Sequence, residues 1–329
     1  MIPVCKPFYG SEEESAVLCV MRSGRLVQGP KVEAFEQAVA ECVGVKYAIA
    51  CSSGTTALHL ALMADGVNHG DEVLVPAFTF VATANAVLMC GATPVLQDIY
   101  LETFNIALPK FTIGKTIIPV HAFGFVAPVQ GNAVIEDAAC ALGSFNGLRG
   151  AAATFSFHAT KIITTGDGGM VVTNDESIAN KCRILRDQKH GIQLAYNYRM
   201  TEIQGAIGQE QMKRLPWILA RRKEIAAQYD YCFQGKIKAR IPPTGGNYQS
   251  YVLLLNAEMD RTKVIAELAA SGIEALPATQ FLGDMPHLKT DGLPNARFAG
   301  THAMRLPIYP QMTENEQQRV IIKTIEVLG

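Results

Sequence analysis

Phe155-Ser156-Phe157-His158-Ala159-Thr160-Lys161-Ile162-Ile163-Thr164-Thr165-Gly166-Asp167-Gly168-Gly169 carries an apolar, strand-like run into a glycine-rich turn, with one lysine between them. Two similar junctions lie upstream. Tyr47 to Cys51 leads into Ser52-Ser53-Gly54-Thr55-Thr56 and a helical stretch, and Ala133 to Ile135 ends on Glu136-Asp137-Ala138-Ala139. Strands without polar alternation are buried on both faces, as in a parallel sheet covered by helices.

Further runs of the same kind occur at Glu72 to Val75, Pro94 to Leu96, Thr116 to Val120, Thr154 to Phe157 and Met170 to Thr173. Helical stretches at Thr56 to Ala64 and Thr79 to Cys90 separate several of them. The pattern predicts an α/β fold with a mainly parallel sheet. Ahead of it, Ser11-Glu12-Glu13-Glu14 has the Ser-x-x-Glu form of a capping box, predicting a helix to about Arg22. Pro30 suits the first turn of a second helix, with Val32, Phe35, Val39 and Cys42 on one face and Gly44 at its end.

Beyond the sheet, Thr201 to Leu215 and Trp217 to Phe233 read as two helices parted by Pro216. The chain restarts at Ile241-Pro242-Pro243-Thr244-Gly245-Gly246. A strand (Tyr251 to Leu255), a helix (Thr262 to Ser271) and a last helix opened by Thr313-Glu314-Asn315-Glu316 then predict a small α+β domain. The expected division is a large domain over 1–234 and a small one over 235–329.

With 29 Lys+Arg against 30 Asp+Glu and no basic block, neither nucleic acid nor a membrane surface is an expected partner. The eight cysteines are scattered without a Cys-x-x-Cys pair or a Cys/His cluster, so no metal site is expected. They read as reduced thiols, and the N-terminus lacks a signal peptide's apolar region, so the expected location is cytoplasmic. Val73 to Gln97 contains no charged residue, but Pro76, Gly91 and Pro94 punctuate it as strand, helix and strand.

Three pieces carry chemistry. The turn at Ser52–Thr56 would aim backbone N–H groups and a helix dipole at one point, where a phosphate fits; it also reads as an ordinary N-cap. Asp137 ends a buried strand at the sheet's carboxyl edge, where it could hold a pyridine nitrogen protonated or simply cap a helix. Lys161 supplies an amine for an aldehyde, and Ser156 could add a hydroxyl to the phosphate. Together they suggest pyridoxal 5'-phosphate (PLP), held covalently on Lys161. No Gly-x-Gly-x-x-Gly turn follows an early strand, which disfavours a dinucleotide enzyme.

These residues resemble the DegT/DnrJ-type nucleotide-sugar aminotransferases, PLP enzymes of the aspartate aminotransferase fold (fold type I). The likeness runs through Ser23-Gly24 with Gly29-Pro30-Lys31-Val32, Ser52 to Thr55, Pro76 to Ala86, Pro119-Val120-His121, Glu136 to Ala139, Phe155 to Gly169, Tyr196 to Gln204, and Leu306 to Pro310. By that resemblance Lys161 is the Schiff-base lysine and Asp137 the partner of the pyridinium nitrogen. Phe80 stacks on the ring, Ser53, Gly54, Thr55 and Ser156 bind the phosphate, and Asn197 reaches the partner's phosphate in a homodimer. For Phe80 plain core packing is the other reading.

The implied reaction is ping-pong transfer of an amino group from glutamate to a nucleotide-linked keto-sugar. Ala141-Leu142-Gly143-Ser144 and Phe155 to Thr165 resemble members that aminate C4 more than those that aminate C3. Members with histidine in place of the lysine run dehydrations, and this chain keeps Lys161. A dehydratase or lyase on the same fold, or a non-catalytic sugar-nucleotide-binding or regulatory homologue, are the other readings. The chain departs from the family at Cys140, where glutamine or histidine is usual, and at Arg25, where an aromatic is common. It departs also at Glu274 to Leu288 and in a short Val120–Val134 crossover that predicts a helix lost or cut to one turn.

Overall fold

The computed structural model describes residues 1–108, 114–131, 134–188, 194–240 and 246–329. Ala133, the expected start of one strand, and Ile241 to Gly245, the start of the expected restart, lie outside them.

Strands Tyr47–Cys51, Gly169–Thr173, Ala152–Ser156 and Ile135–Asp137 lie side by side in that order. A second row places Glu72–Pro76 between Thr93–Gln97 and Thr116–Ile117. Parallel bridges Ile117↔Val134 and Val120↔Asp137 join the two rows into one sheet. Gly169–Thr173 runs antiparallel to both its neighbours, while the other pairings are parallel. The mainly parallel sheet is therefore as expected, and its strands are apolar because helices cover both faces. Ala57, Leu60 and Leu62 of helix Gly54–Asp65 are buried against one face, and Val32, Phe35 and Val39 of helix Pro30–Val43 against the other.

The charge-free stretch after Glu72 forms strand Glu72–Pro76, a short strand Phe78–Thr79, helix Ala82–Met89 and strand Thr93–Gln97. Among the described residues no helix is long and apolar enough to cross a membrane.

Three local expectations need correction. Helix Ser11–Ser23 is capped by Gly10 rather than Ser11, because Glu13, not Glu14, turns back to accept the Gly10 N–H at 2.8 Å. Glu13 is drawn inward by Gln211 and Arg214, which donate to its Oε1 at 2.8 and 2.9 Å. In helix Pro30–Val43 the buried face closes on Val43, and Cys42 is exposed.

The two helices expected around Pro216 are one, Glu202–Phe233. A proline inside a helix costs about 3 kcal/mol. Leu215 and Ile218 flank it and bury in the same core cluster, and each such burial is worth about 1.5–3 kcal/mol. Packing keeps the helix whole. In the short crossover, the described helical structure is the 3-10 turn Ala122–Gly124.

The C-terminal sheet is antiparallel, in the order Leu276–Pro277, Ala303–Leu306, Tyr251–Leu255 and Ala239–Arg240. Its core takes Tyr229 and Phe233 from the long helix, with Tyr229 edge-on to Tyr251 at 4.9 Å. The N-terminus closes the same core. Ile2 donates to Gly272 O at 2.8 Å and accepts the Glu274 N–H at 2.9 Å, and Val4 accepts the Ile308 N–H at 3.0 Å. Strand Gln280–Phe281 pairs with Phe78–Thr79, bringing this part of the chain to the carboxyl edge of the large sheet.

Candidate active site

Helix Gly54–Asp65 begins directly after strand Tyr47–Cys51. Ser53 Oγ accepts the Thr56 N–H at 3.2 Å, and Thr56 Oγ1 accepts the Ser53 N–H at 3.0 Å. The N–H groups of Gly54 and Thr55 precede the first intrahelical bonds and stand at the positive end of the dipole. A Cβ on Gly54 would lie 2.8 Å from Ser156 Cβ, and one on Gly169 would lie 2.1 Å from Ser53 O. Only glycines let the helix start press so closely on Ser156. The hydroxyl and the helix N-terminus thus converge, and the pair fits an oxyanion such as phosphate.

Asp137 ends its strand at the same carboxyl edge and is buried. Thr83 Oγ1 donates to its Oδ2 at 2.8 Å, and the Ala139 N–H donates to its Oδ1 at 3.1 Å. Thr83 had no assigned role in the sequence, although it stands three residues after Phe80 on the turn that opens helix Ala82–Met89. Phe80 O accepts the Thr83 N–H at 3.2 Å, yet the residue is 62% exposed. It is not a core side chain, so plain packing does not account for it.

Glu136 alternates to the opposite face, as strand geometry requires. It is fully buried and accepts from Arg149 N and Gly150 N at 2.7 and 3.0 Å. His121 Nδ1 accepts the Ala127 N–H at 3.0 Å, so its proton sits on Nε2, 3.0 Å from Glu136 Oε2. This neutral histidine and its carboxylate brace the short crossover.

Lys161 follows the Ala152–Ser156 strand by one turn and is half-buried, with Nζ 3.2 Å from Cys140 Sγ. The loop between them is pinned by the Phe157 N–H to Gly168 O at 2.8 Å and the Thr165 N–H to Phe157 O at 3.0 Å. His158 is exposed, and its Nδ1 lies 3.1 Å from Thr160 Oγ1.

Asn197 is exposed, on a bridge to Asp187. Its neighbour Tyr198 accepts the Ser52 N–H at 2.8 Å and stacks on Tyr196 at 4.8 Å. Arg25 is exposed in the loop before Pro30. The structure thus gathers Ser53, Gly54, Ser156, Asp137 and Lys161 at one sheet edge, with Phe80 linked through Thr83. Tyr198, the residue after Asn197, meets this group through the backbone of Ser52. Among the described residues no cluster of histidine, cysteine and acidic side chains could hold a metal.

The sequence pattern of the DegT/DnrJ/EryC1/StrS aminotransferase family matches residues 7–325. Among similar proteins, GDP-perosamine synthase of Caulobacter vibrioides is 39% identical over 97% of this chain and 96% of that protein. Among solved structures, the aminotransferase TlmJ from Streptoalloteichus hindustanus superposes with a TM-score of 0.91 at 29% identity, covering 99% of this chain and 98% of that one. Helicobacter pylori PseC, an aminotransferase involved in the biosynthesis of pseudoaminic acid, gives 0.90 at 26% identity, covering 99% and 98%.

Proposed function

Because the chain belongs to the DegT/DnrJ/EryC1/StrS aminotransferase family, we propose that it transfers an amino group from glutamate to a nucleotide-linked keto-sugar, using PLP in a ping-pong cycle. The observation that carries this reading is one sheet edge bearing a half-buried amine, a buried carboxylate and a glycine-lined oxyanion cradle. The residues fit the cofactor. A Cβ on Gly54 would strike Ser156, so only glycine lets the helix start sit against that hydroxyl, where both can face one phosphate. Phe80 is an exposed aromatic joined through its carbonyl to Asp137's partner Thr83.

Bound PLP would supply an electron sink for the carbanion formed at the amine-bearing carbon. Lys161 would hold the cofactor covalently and, once displaced by substrate, move the proton at that carbon. Asp137, held in place by Thr83 Oγ1 and the Ala139 N–H, would hold a proton on the pyridine nitrogen. Ser53, Gly54, Thr55 and Ser156 would bind the phosphate. Asn197, exposed on one protomer, would complete the site of its partner in a two-fold dimer. The likeness to a GDP-perosamine synthase supports a nucleotide-linked sugar, and the lean toward C4 rests on Ala141 to Ser144 and Phe155 to Thr165.

The visible spectrum of the protein with added PLP, before and after glutamate, tests this. A band that fades with glutamate as 2-oxoglutarate appears, and that Lys161→Ala lacks, is the expected result. A band unchanged by glutamate would point to another donor or another PLP reaction, and no band at all would refute the cofactor.

A further inference from the structure

Asn247 and Gln249 come from the C-terminal part of the chain, yet their side chains are buried and bonded to the two loops that carry Cys140 and Lys161. Asn247 Nδ2 donates to Cys140 O at 2.9 Å and to Leu142 O at 2.7 Å. Gln249 Nε2 donates to Thr160 O at 3.0 Å, one residue before Lys161. Both amides are fixed in orientation, because Asn247 Oδ1 accepts the Gln249 N–H at 2.9 Å and Gln249 Oε1 accepts from Ser250 Oγ at 2.9 Å.

The loop is held from behind. Arg222 is wholly buried in the long helix, and burial pushes its guanidinium down to about 10. Its Nη1 donates to Tyr248 O at 2.9 Å, Gln249 O at 3.3 Å and Ile308 O at 3.2 Å. Between the two amides Tyr248 is left-handed at φ 52°, a conformation that side-chain-bearing residues hold only where the surroundings impose it. A Cβ on Gly124 would lie 2.1 Å from Asn247 Oδ1, so the shortened crossover also seats this loop.

We propose that Asn247 and Gln249 are positioning residues for Lys161: they clamp the Cys140 and Thr160 carbonyls and thereby set where the amine stands, with Arg222 holding the clamp shut. This rests on the proposed cofactor role of Lys161. A buried amide needs some partner, but two amides from one loop spending their donors on the two reactive loops do more than fill a core. They make the amine's position depend on the C-terminal part of the chain.

Linkage is reciprocal, so a clamp that favours the binding-competent amine must itself be tightened by PLP. In the wild-type protein, PLP is expected to slow amide exchange across 247–250 by about tenfold; unchanged exchange overturns the proposal. Gln249→Glu and Asn247→Asp keep size and acceptor oxygen but remove the donors. Each is expected to weaken PLP binding by about tenfold and to shift the pH at which the visible band titrates.

Tyr229→Phe is the control, since it removes a buried bond to Pro307 O at 2.9 Å. It should lower the melting temperature and leave PLP affinity within about twofold. Clamp variants that fold and bind PLP as the wild type does would show a role in packing alone. If a variant does not fold, the exchange measurement decides. A wild type that binds no PLP sinks the cofactor assignment instead, which separates the two failures.

Discussion

Lys161 Nζ stands 3.2 Å from Cys140 Sγ, so the amine that would take the cofactor and the one thiol beside it occupy the same space. PLP on Lys161 should shield Cys140 from alkylation. Cys51 and Cys182 are buried, and burial pushes their thiols up to about 11 and about 12, which keeps them unreactive. Cys19 is exposed and should react with or without PLP. At PLP near ten times its Kd, peptide mass mapping should show Cys140 labelled about tenfold more slowly. Equal rates would place it away from the cofactor.

Thr83→Val keeps the shape of a buried side chain and deletes the donor to Asp137 Oδ2. Bonds to a charged group contribute about 1.5–3 kcal/mol. Glutamate-dependent turnover should therefore fall at least about tenfold, with a melting temperature little changed. Wild-type turnover would mean that Asp137 does not need this hydroxyl.

Glu202 opens the long helix but caps a different one. Its Oε1 accepts from Gly29 N and Val32 N at 2.8 and 3.0 Å, and its Oε2 from Lys31 N at 3.0 Å. These are the free donors at the start of helix Pro30–Val43, and Glu202 is buried among them. Glu202→Ala should cost about 3 kcal/mol in denaturant unfolding; a loss below about 1 kcal/mol would show water replacing the carboxylate.

His59 is buried, with Nδ1 3.3 Å from Tyr198 Oη, and burial holds its pKa below the ordinary 6.5. The unfolded chain takes up the proton first. Stability should be intact above pH 6.5 and decline as pH falls through that value toward the lower folded one. His59→Phe should flatten that slope in melting curves; an unchanged slope would assign it to other groups.

What was legible in the sequence was whatever depends on neighbours along the chain. Strands such as Tyr47–Cys51 and Tyr251–Leu255 appear with their expected bounds, because unalternated apolar runs leave few ways to be buried. Thr313 and Glu316 form the expected capping box, with Glu316 Oε2 accepting the Thr313 N–H at 2.8 Å. The failures share a cause. Glu13 rather than Glu14 caps the first helix, and Pro216 leaves its helix unbroken, because residues about two hundred positions away or a shared core decide the matter. Thr83, Asn247 and Gln249 were missed for the same reason. Each touches the site from another element, and nothing adjacent in sequence marks it.

The hydrogen bond from Val4 N to Glu274 Oε2 at 2.7 Å spans 270 positions. A ribosome delivers Ile2 and Val4 before Gly272 and Glu274, and at about 5–20 residues per second these partners follow roughly a quarter of a minute to a minute later. Until then the opening residues have nothing to dock against, while the strands around Lys161 are already outside. Joining these distant segments is therefore paced by translation.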